Sequence, residues 1–173
     1  MNIYDPTFTS AQTAKAAGMS HANFRAHLAR GNWTIGDKSA SAEGAGKGHL
    51  FSIYDVLGYA LATDLMDLGV DPKPAFERAM YDFAHVGSTR YDGTTPIVRL
   101  PGMVFDLKYG MTFYSYIPGA ERGECYASKL IGDPVTLFLN RSGGFSEKAA
   151  IVQLNLLRMR VFASLGLDAR DYE

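Results

Sequence analysis

Apolar residues in the first half of the chain recur at spacings of three and four. Ile53, Leu57, Leu61, Leu65 and Leu68 form the longest such stripe, and predict a helix over 53–68. Val56, Ala60 and Met66 widen it, so burial on more than one side is expected. Ser52 stands ready to cap this helix, with Asp55 at the capping-box position. Gly69 ends it. Pro72 and Pro74 then allow a new helix only if they lie in its first turn. Phe76, Ala79, Met80 and Phe83 carry that helix to about Ala84.

Upstream, the helical segments are shorter. Ser10 can cap a helix built on Ala11, Ala14, Ala16 and Ala17. Gly18 can take φ > 0 and close it. Ser20 can cap a second helix almost at once, in which Phe24 and Leu28 lie four apart on one face. Two short helices around a tight glycine-containing turn read as a helix-turn-helix. Trp33-Thr34-Ile35 and His49-Leu50-Phe51 are both β-prone. Between them, residues 36–48 hold no apolar side chain larger than alanine. Such a hairpin, directly after a recognition helix, is expected to be a wing.

This order resembles the MerR-type winged helix-turn-helix over residues 8–84. The resemblance rests on Phe8-Thr9, Ala14, Gly18-Met19-Ser20, Phe24-Arg25, Gly31, Leu50-Phe51-Ser52 with Asp55, and Gly69. MerR-like regulators, phage excisionases and phage terminase small subunits share this module. The glycine-rich tip at 44–48 is most similar to the phage members. The resemblance implies a DNA-binding end. Ala22 departs from the basic residue that many members carry, and Ala26 and His27 from their tyrosines, so those contacts do not carry over.

The second half changes character. Residues 97–100, 103–107, 112–117 and 135–139 are β-rich runs, separated by turn signals such as Pro101-Gly102 and Asp133-Pro134. They predict a small antiparallel sheet. A last helix is expected from Ser146-Glu147 to about Leu165, closed by Gly166, and apolar nearly all round. The sheet would cover one side of it and a second copy of the chain the other. Residues 87–96 are polar and glycine/threonine-rich and read as a linker. The expected fold class is α+β: a winged helix-turn-helix domain over 1–86, then an α+β dimerisation or effector domain over 95–173.

Composition narrows the function. The chain has 173 residues, is 47% hydrophobic and carries a net charge of −1, enough for one or two small cores. Residues 1–50 hold Lys15, Arg25, Arg30, Lys38 and Lys47 against Asp5, Asp37 and Glu43, an excess of two positive charges. So small an excess gives few phosphate contacts, and two copies on one symmetric site would compensate. The lone Cys125 excludes an internal disulfide and a multi-thiolate metal site. Neither a signal peptide nor a membrane span is visible, and a cytoplasmic location is expected.

Candidate contacts follow from the module. Arg25 lies about 100° around the helix from Phe24 and can read guanine or clamp a phosphate. Ser20, His21 and Asn23 stand at the start of the same helix, and His27 and Arg30 further along. Lys38 and Lys47 in the hairpin can neutralise phosphates. The run at 44–48 lacks the hydroxyl residue and the glycine spacing of a nucleotide-binding loop. Phe105, Tyr109, Phe113, Tyr114, Tyr116 and Tyr126 could line an effector pocket, or stack on bases with Arg99, Lys108 and Arg122, although sheet packing is the commoner use of such residues. No triad-like arrangement can be argued, so no enzyme, metal or cofactor is expected. The expectation is a sequence-specific transcriptional regulator acting as a homodimer on double-stranded DNA, with a small molecule or protein as possible effector of the second domain. A phage packaging or excisionase-like protein, or a small-molecule sensor, is the alternative.

Overall fold

The computed structural model describes residues 5–35, 40–41, 48–139 and 144–168. It is mixed α and β, with small antiparallel sheets. Strand β1 (Phe8–Thr9) leads into α1 (Ser10–Ala16), and a four-residue turn leads to α2 (His21–Ala29). Strands β2 (Ala40–Ser41) and β3 (His49–Phe51) follow, and the order in their sheet is β1-β3-β2. Phe8 pairs with Phe51, and Ala40 with Leu50. Helix α3 (Ile53–Asp67) runs through the middle, and α4 (Pro72–Arg78) continues as a π-helical turn over Ala79–Ala84.

Local chemistry explains these boundaries. Thr9, not Ser10, caps α1: Gln12 N–H donates to the Thr9 hydroxyl at 3.3 Å, and Thr9 N–H donates back to the Gln12 amide at 2.9 Å. This is a reciprocal capping box of the Thr-x-x-Gln kind. Gly18 takes φ +83°, which lets the chain turn out of α1. Ser20 then accepts Asn23 N–H and caps α2. Ser52 and Asp55 cap α3 reciprocally. Twelve of the fifteen residues of α3 are buried, so it is the central helix. Gly58 makes room for that: a Cβ there would come within 2.4 Å of Met80 Sδ.

The two expected halves share one hydrophobic cluster, which runs from Phe8 to Phe162. Residues 88–99 form a hairpin rather than a linker. Strand β4 (Ser88–Asp92) pairs with β5 (Thr95–Arg99) from Ser88↔Arg99 to Asp92↔Thr95. A three-stranded sheet has the order β7-β6-β8, from β6 (Thr112–Tyr116), β7 (Glu124–Ala127) and β8 (Ala150–Gln153). Helix α5 is therefore short, Leu154–Leu165. Of the expected first turns, residues 146–149 are irregular and Ala150–Gln153 are β8, because Ile151 and Val152 pair with Ser115 and Tyr114 and β-branched residues suit that surface.

Other expected strands also differ. Residues 135–139 are mostly a 3-10 turn (Pro134–Phe138), with Asp133 Oδ1 accepting Val135 N–H at 2.9 Å. Residues 103–107 join no ladder; Phe105 N–H goes to the Thr112 hydroxyl. Trp33 is no strand residue either. Its ring is 1% exposed, and its indole N–H donates to Pro72 O at 3.1 Å.

Helix α5 packs on α1, α3 and the β6–β8 pair. Arg160 meets Asp64 of α3 at 2.8 Å, and Asn155 Oδ1 accepts Thr112 N–H at 2.6 Å. Its buried side, including Leu157, is thus covered within the chain, while Leu156 and Met159 face solvent.

Arg99 is completely buried. Its guanidinium donates to the carbonyls of Asp82, Phe83, Val86, Leu100 and Met103 and to the Ser88 hydroxyl, at 2.7–3.3 Å. None of these six acceptors is a carboxylate. Burial pulls the Arg99 pKa down, but an arginine stays charged at any ordinary pH. The side chain fastens the end of the π-helical turn to the hairpin and to the 100–103 turn. Arg99→Met should destabilise the chain by roughly 3 kcal/mol or more, because the Asp82, Val86 and Met103 carbonyls lose this donor at once, while the Phe83 and Leu100 carbonyls keep Gly102 N–H and Met103 N–H. Urea unfolding followed by circular dichroism reads this, and a loss under about 1 kcal/mol would mean that the carbonyls find other donors.

Candidate nucleic-acid interface

Phe24 sets the orientation of α2. It is fully buried, and its ring meets Trp33, Phe51 and Tyr59 edge-on at centroid distances of 5.8, 5.7 and 4.9 Å. Phe76 extends the cluster against Trp33 and Tyr59. With Phe24 inward, Arg25, about 100° further round the helix, points away from the core. Arg25 is exposed, and so are Ala22 and Ala29, three residues before it and four after it. The solvent face of α2 thus carries Arg25 with the small side chains of Ala22 and Ala29 next to it and the exposed His21 one turn before it.

The other candidates divide. Ser20 is exposed and occupied as the cap, its hydroxyl accepting Asn23 N–H at 3.1 Å. His21 is exposed and its Nε2 lies 3.0 Å from the Ser10 hydroxyl, so it ties α2 to α1. Asn23 has an exposed side chain beside Ser20. Arg30 is exposed at the end of α2. Lys38 and Lys47 lie outside the described residues.

His27 faces elsewhere. Its ring stacks on Trp33 at 4.6 Å and 17°, and Nδ1 lies 3.4 Å from the Asn32 amide. It shields the indole, which gives it a structural task on the flank away from Arg25. Partial burial, and secondarily the charge of Arg30, hold its pKa below the usual 6.5.

Asp55 has a double task. One oxygen caps α3, and the other lies 3.2 Å from His85 Nε2. Burial alone would raise its pKa, but hydrogen bonds from His85 and Ser52 overcome this and hold it below the usual carboxylate value. Both residues belong to the scaffold under the site.

The second-half candidates are redistributed. Phe105, Tyr114 and Tyr116 are core residues. Arg99 is buried and cannot stack on bases. Lys108 is exposed, with its ammonium 4.9 Å from the Tyr109 ring centre. Arg122 is exposed beside a cleft. Cys125 is buried, and burial pushes its thiol up to about 11, so it is neutral and unreactive at ordinary pH. Sequence reasoning missed the task of Arg99, since no local pattern marks an arginine as buried.

Among the described residues, no cluster of three or more His, Cys, Asp or Glu side chains could hold a metal ion. None of the described helices is long and apolar enough to cross a membrane. No family model, curated protein or solved structure matches the chain.

The His27 stack gives a pH signature. The folded protein favours the neutral ring, so above pH 6.5, where both states are neutral, His27 adds no pH dependence. As pH falls below 6.5 the unfolded ring protonates first, and stability drops until the folded ring also titrates. His27→Phe keeps a ring on Trp33 and should remove that part of the decline. Urea titrations of both proteins across this range check it, with an NMR midpoint for His27 expected below 6.5.

Proposed function

We propose that this chain binds double-stranded DNA through α2, as a sequence-specific transcriptional regulator of the MerR-type winged helix-turn-helix class. The observation that carries the reading is the outward face of α2, with Arg25 exposed between Ala22 and Ala29 while Phe24 is anchored beneath. An arginine fork can bond both acceptors of guanine in the major groove, and alanines beside it leave room for the groove walls. Arg30 at the end of α2 and the lysines Lys38 and Lys47 provide phosphate contacts that fix the register. Ser20, His21 and Asn23 act at the start of the helix, as secondary contacts.

A single module with a small positive excess binds weakly, so the regulator acts as a homodimer on an inverted repeat. Leu156 and Met159, exposed on α5, are suited to the dimer contact.

Footprinting on DNA from the gene's own neighbourhood identifies the site. On that site, Arg25→Ala should weaken specific binding by about 1–3 kcal/mol. Lys47→Ala should weaken binding to all sequences alike and lower the salt slope by about one. Unchanged affinity in both folded variants would remove α2 and the β2–β3 connection from any DNA interface.

The dimer is checked by light scattering. The intact chain should be dimeric at micromolar concentration, and Met159→Glu should make it monomeric without unfolding it. A monomeric wild type, or a dimer untouched by Met159→Glu, would exclude α5 as the contact.

A further inference from the structure

A cleft of about 190 Å³ opens between the π-helical turn, β4 and the start of β7. Asp82, Arg90, Arg122 and Glu124 supply its charged lining. We propose that it binds a small oxyanion-bearing molecule, a carboxylate or a phosphate, gripped by Arg122 and Arg90.

The charge balance favours an anion. Arg78 lies 3.9 Å from Asp82, and Arg90 meets Glu124 at 2.5 Å, so each carboxylate already has a cation. Arg122 adds a charge within Coulombic range of Asp82. Arg99 adds another directly behind the wall, where it donates to the Asp82 and Val86 carbonyls and the Ser88 hydroxyl, all lining residues. Four arginines thus stand around two carboxylates. The Arg99 charge is met only by neutral oxygens, and a buried charge of that kind attracts a counter-ion.

The geometry favours a small, oriented ligand. Arg90 is held before any ligand arrives: Nε and Nη2 donate to Cys125 O, and the guanidinium lies over the Tyr126 ring at 4.6 Å. Asp82 is held as well, its Oδ2 accepting Gly123 N–H at 2.8 Å and the Tyr114 hydroxyl at 3.2 Å. The exposed Arg122 guanidinium can offer a carboxylate or phosphate two parallel hydrogen bonds, while Arg90, whose Nε and Nη2 are already engaged, contributes its fixed charge. The cleft has room for a small metabolite. One wall is a π-helical turn, an element frequent at functional sites.

The test uses the full chain. Inorganic phosphate and malonate, each in the millimolar range, are titrated by calorimetry and by thermal unfolding against sodium chloride at matched ionic strength. At least one should bind saturably and raise Tm, and which one does separates phosphate from carboxylate. Arg122→Gln, at an exposed position, should leave the unliganded Tm unchanged and weaken binding about tenfold or more. Arg25→Ala should leave anion binding intact, which separates this cleft from the α2 face. Neither anion binding beyond the chloride control would overturn the proposal. So would equal affinity in Arg122→Gln, because general salt stabilisation does not depend on one arginine.

Discussion

Five aromatic side chains from five segments meet between α2, β3, α3 and α4. Phe24, Trp33, Phe51, Tyr59 and Phe76 are each less than 8% exposed, and neighbouring ring centres lie 4.9–6.1 Å apart. Edge-to-face contacts depend on angle as well as distance, so they fix how each segment is rotated. The polar edges of the cluster are met too. The Trp33 indole bonds Pro72 O, and the Tyr59 hydroxyl bonds Thr34 O at 2.9 Å. Rotating α2 would break the Phe24 contacts and expose the cluster. The outward direction of Arg25 is thus a consequence of where Phe24 is held.

A second constraint holds the other end. The Arg99 guanidinium gathers carbonyls from the π-helical turn, from Val86 and from the 100–103 turn. Carbonyls at the end of a helix lack the next intrahelical N–H and need another donor; Phe83 O also takes Gly102 N–H at 2.9 Å. One cation with five N–H groups serves several of them in one plane. The same arginine joins the hairpin to the helical part and contributes the field of the neighbouring cleft. Structure and chemistry meet here in one residue.

These two constraints differ in what they leave movable. The aromatic cluster is apolar and closely packed, and helix α2 stands on it with a rigid underside. The cleft by β4 is bounded by charged side chains that reach across from separate strands. Arg90 from β4 holds the Cys125 carbonyl of β7, so a side chain bridges two sheets that share no backbone hydrogen bonds. Such a bridge can respond to a ligand more readily than a packed ring cluster can.

The sequence by itself determined the helical first half. The stripe at 53–68 corresponds to α3 at Ile53–Asp67, and Ser20 and Ser52 cap as their positions suggest. Caps and stripes act between residues three or four apart, so they can be read without knowing the fold. Even here Thr9 displaced Ser10, because Gln12 answers Thr9 and nothing answers Ser10 in the same way. The tertiary structure decided the rest. Ile151 and Val152 became a strand because β6 offered them an edge, and residues 88–99 became a hairpin because Arg90 and Ile97 could turn inward together. Val135 lost its strand to the local bond with Asp133. Arg99 was drawn inside by carbonyls up to 17 residues away in the chain. Strand pairing and the burial of a charge depend on partners far off in the chain, and no local spacing records which partner will be there.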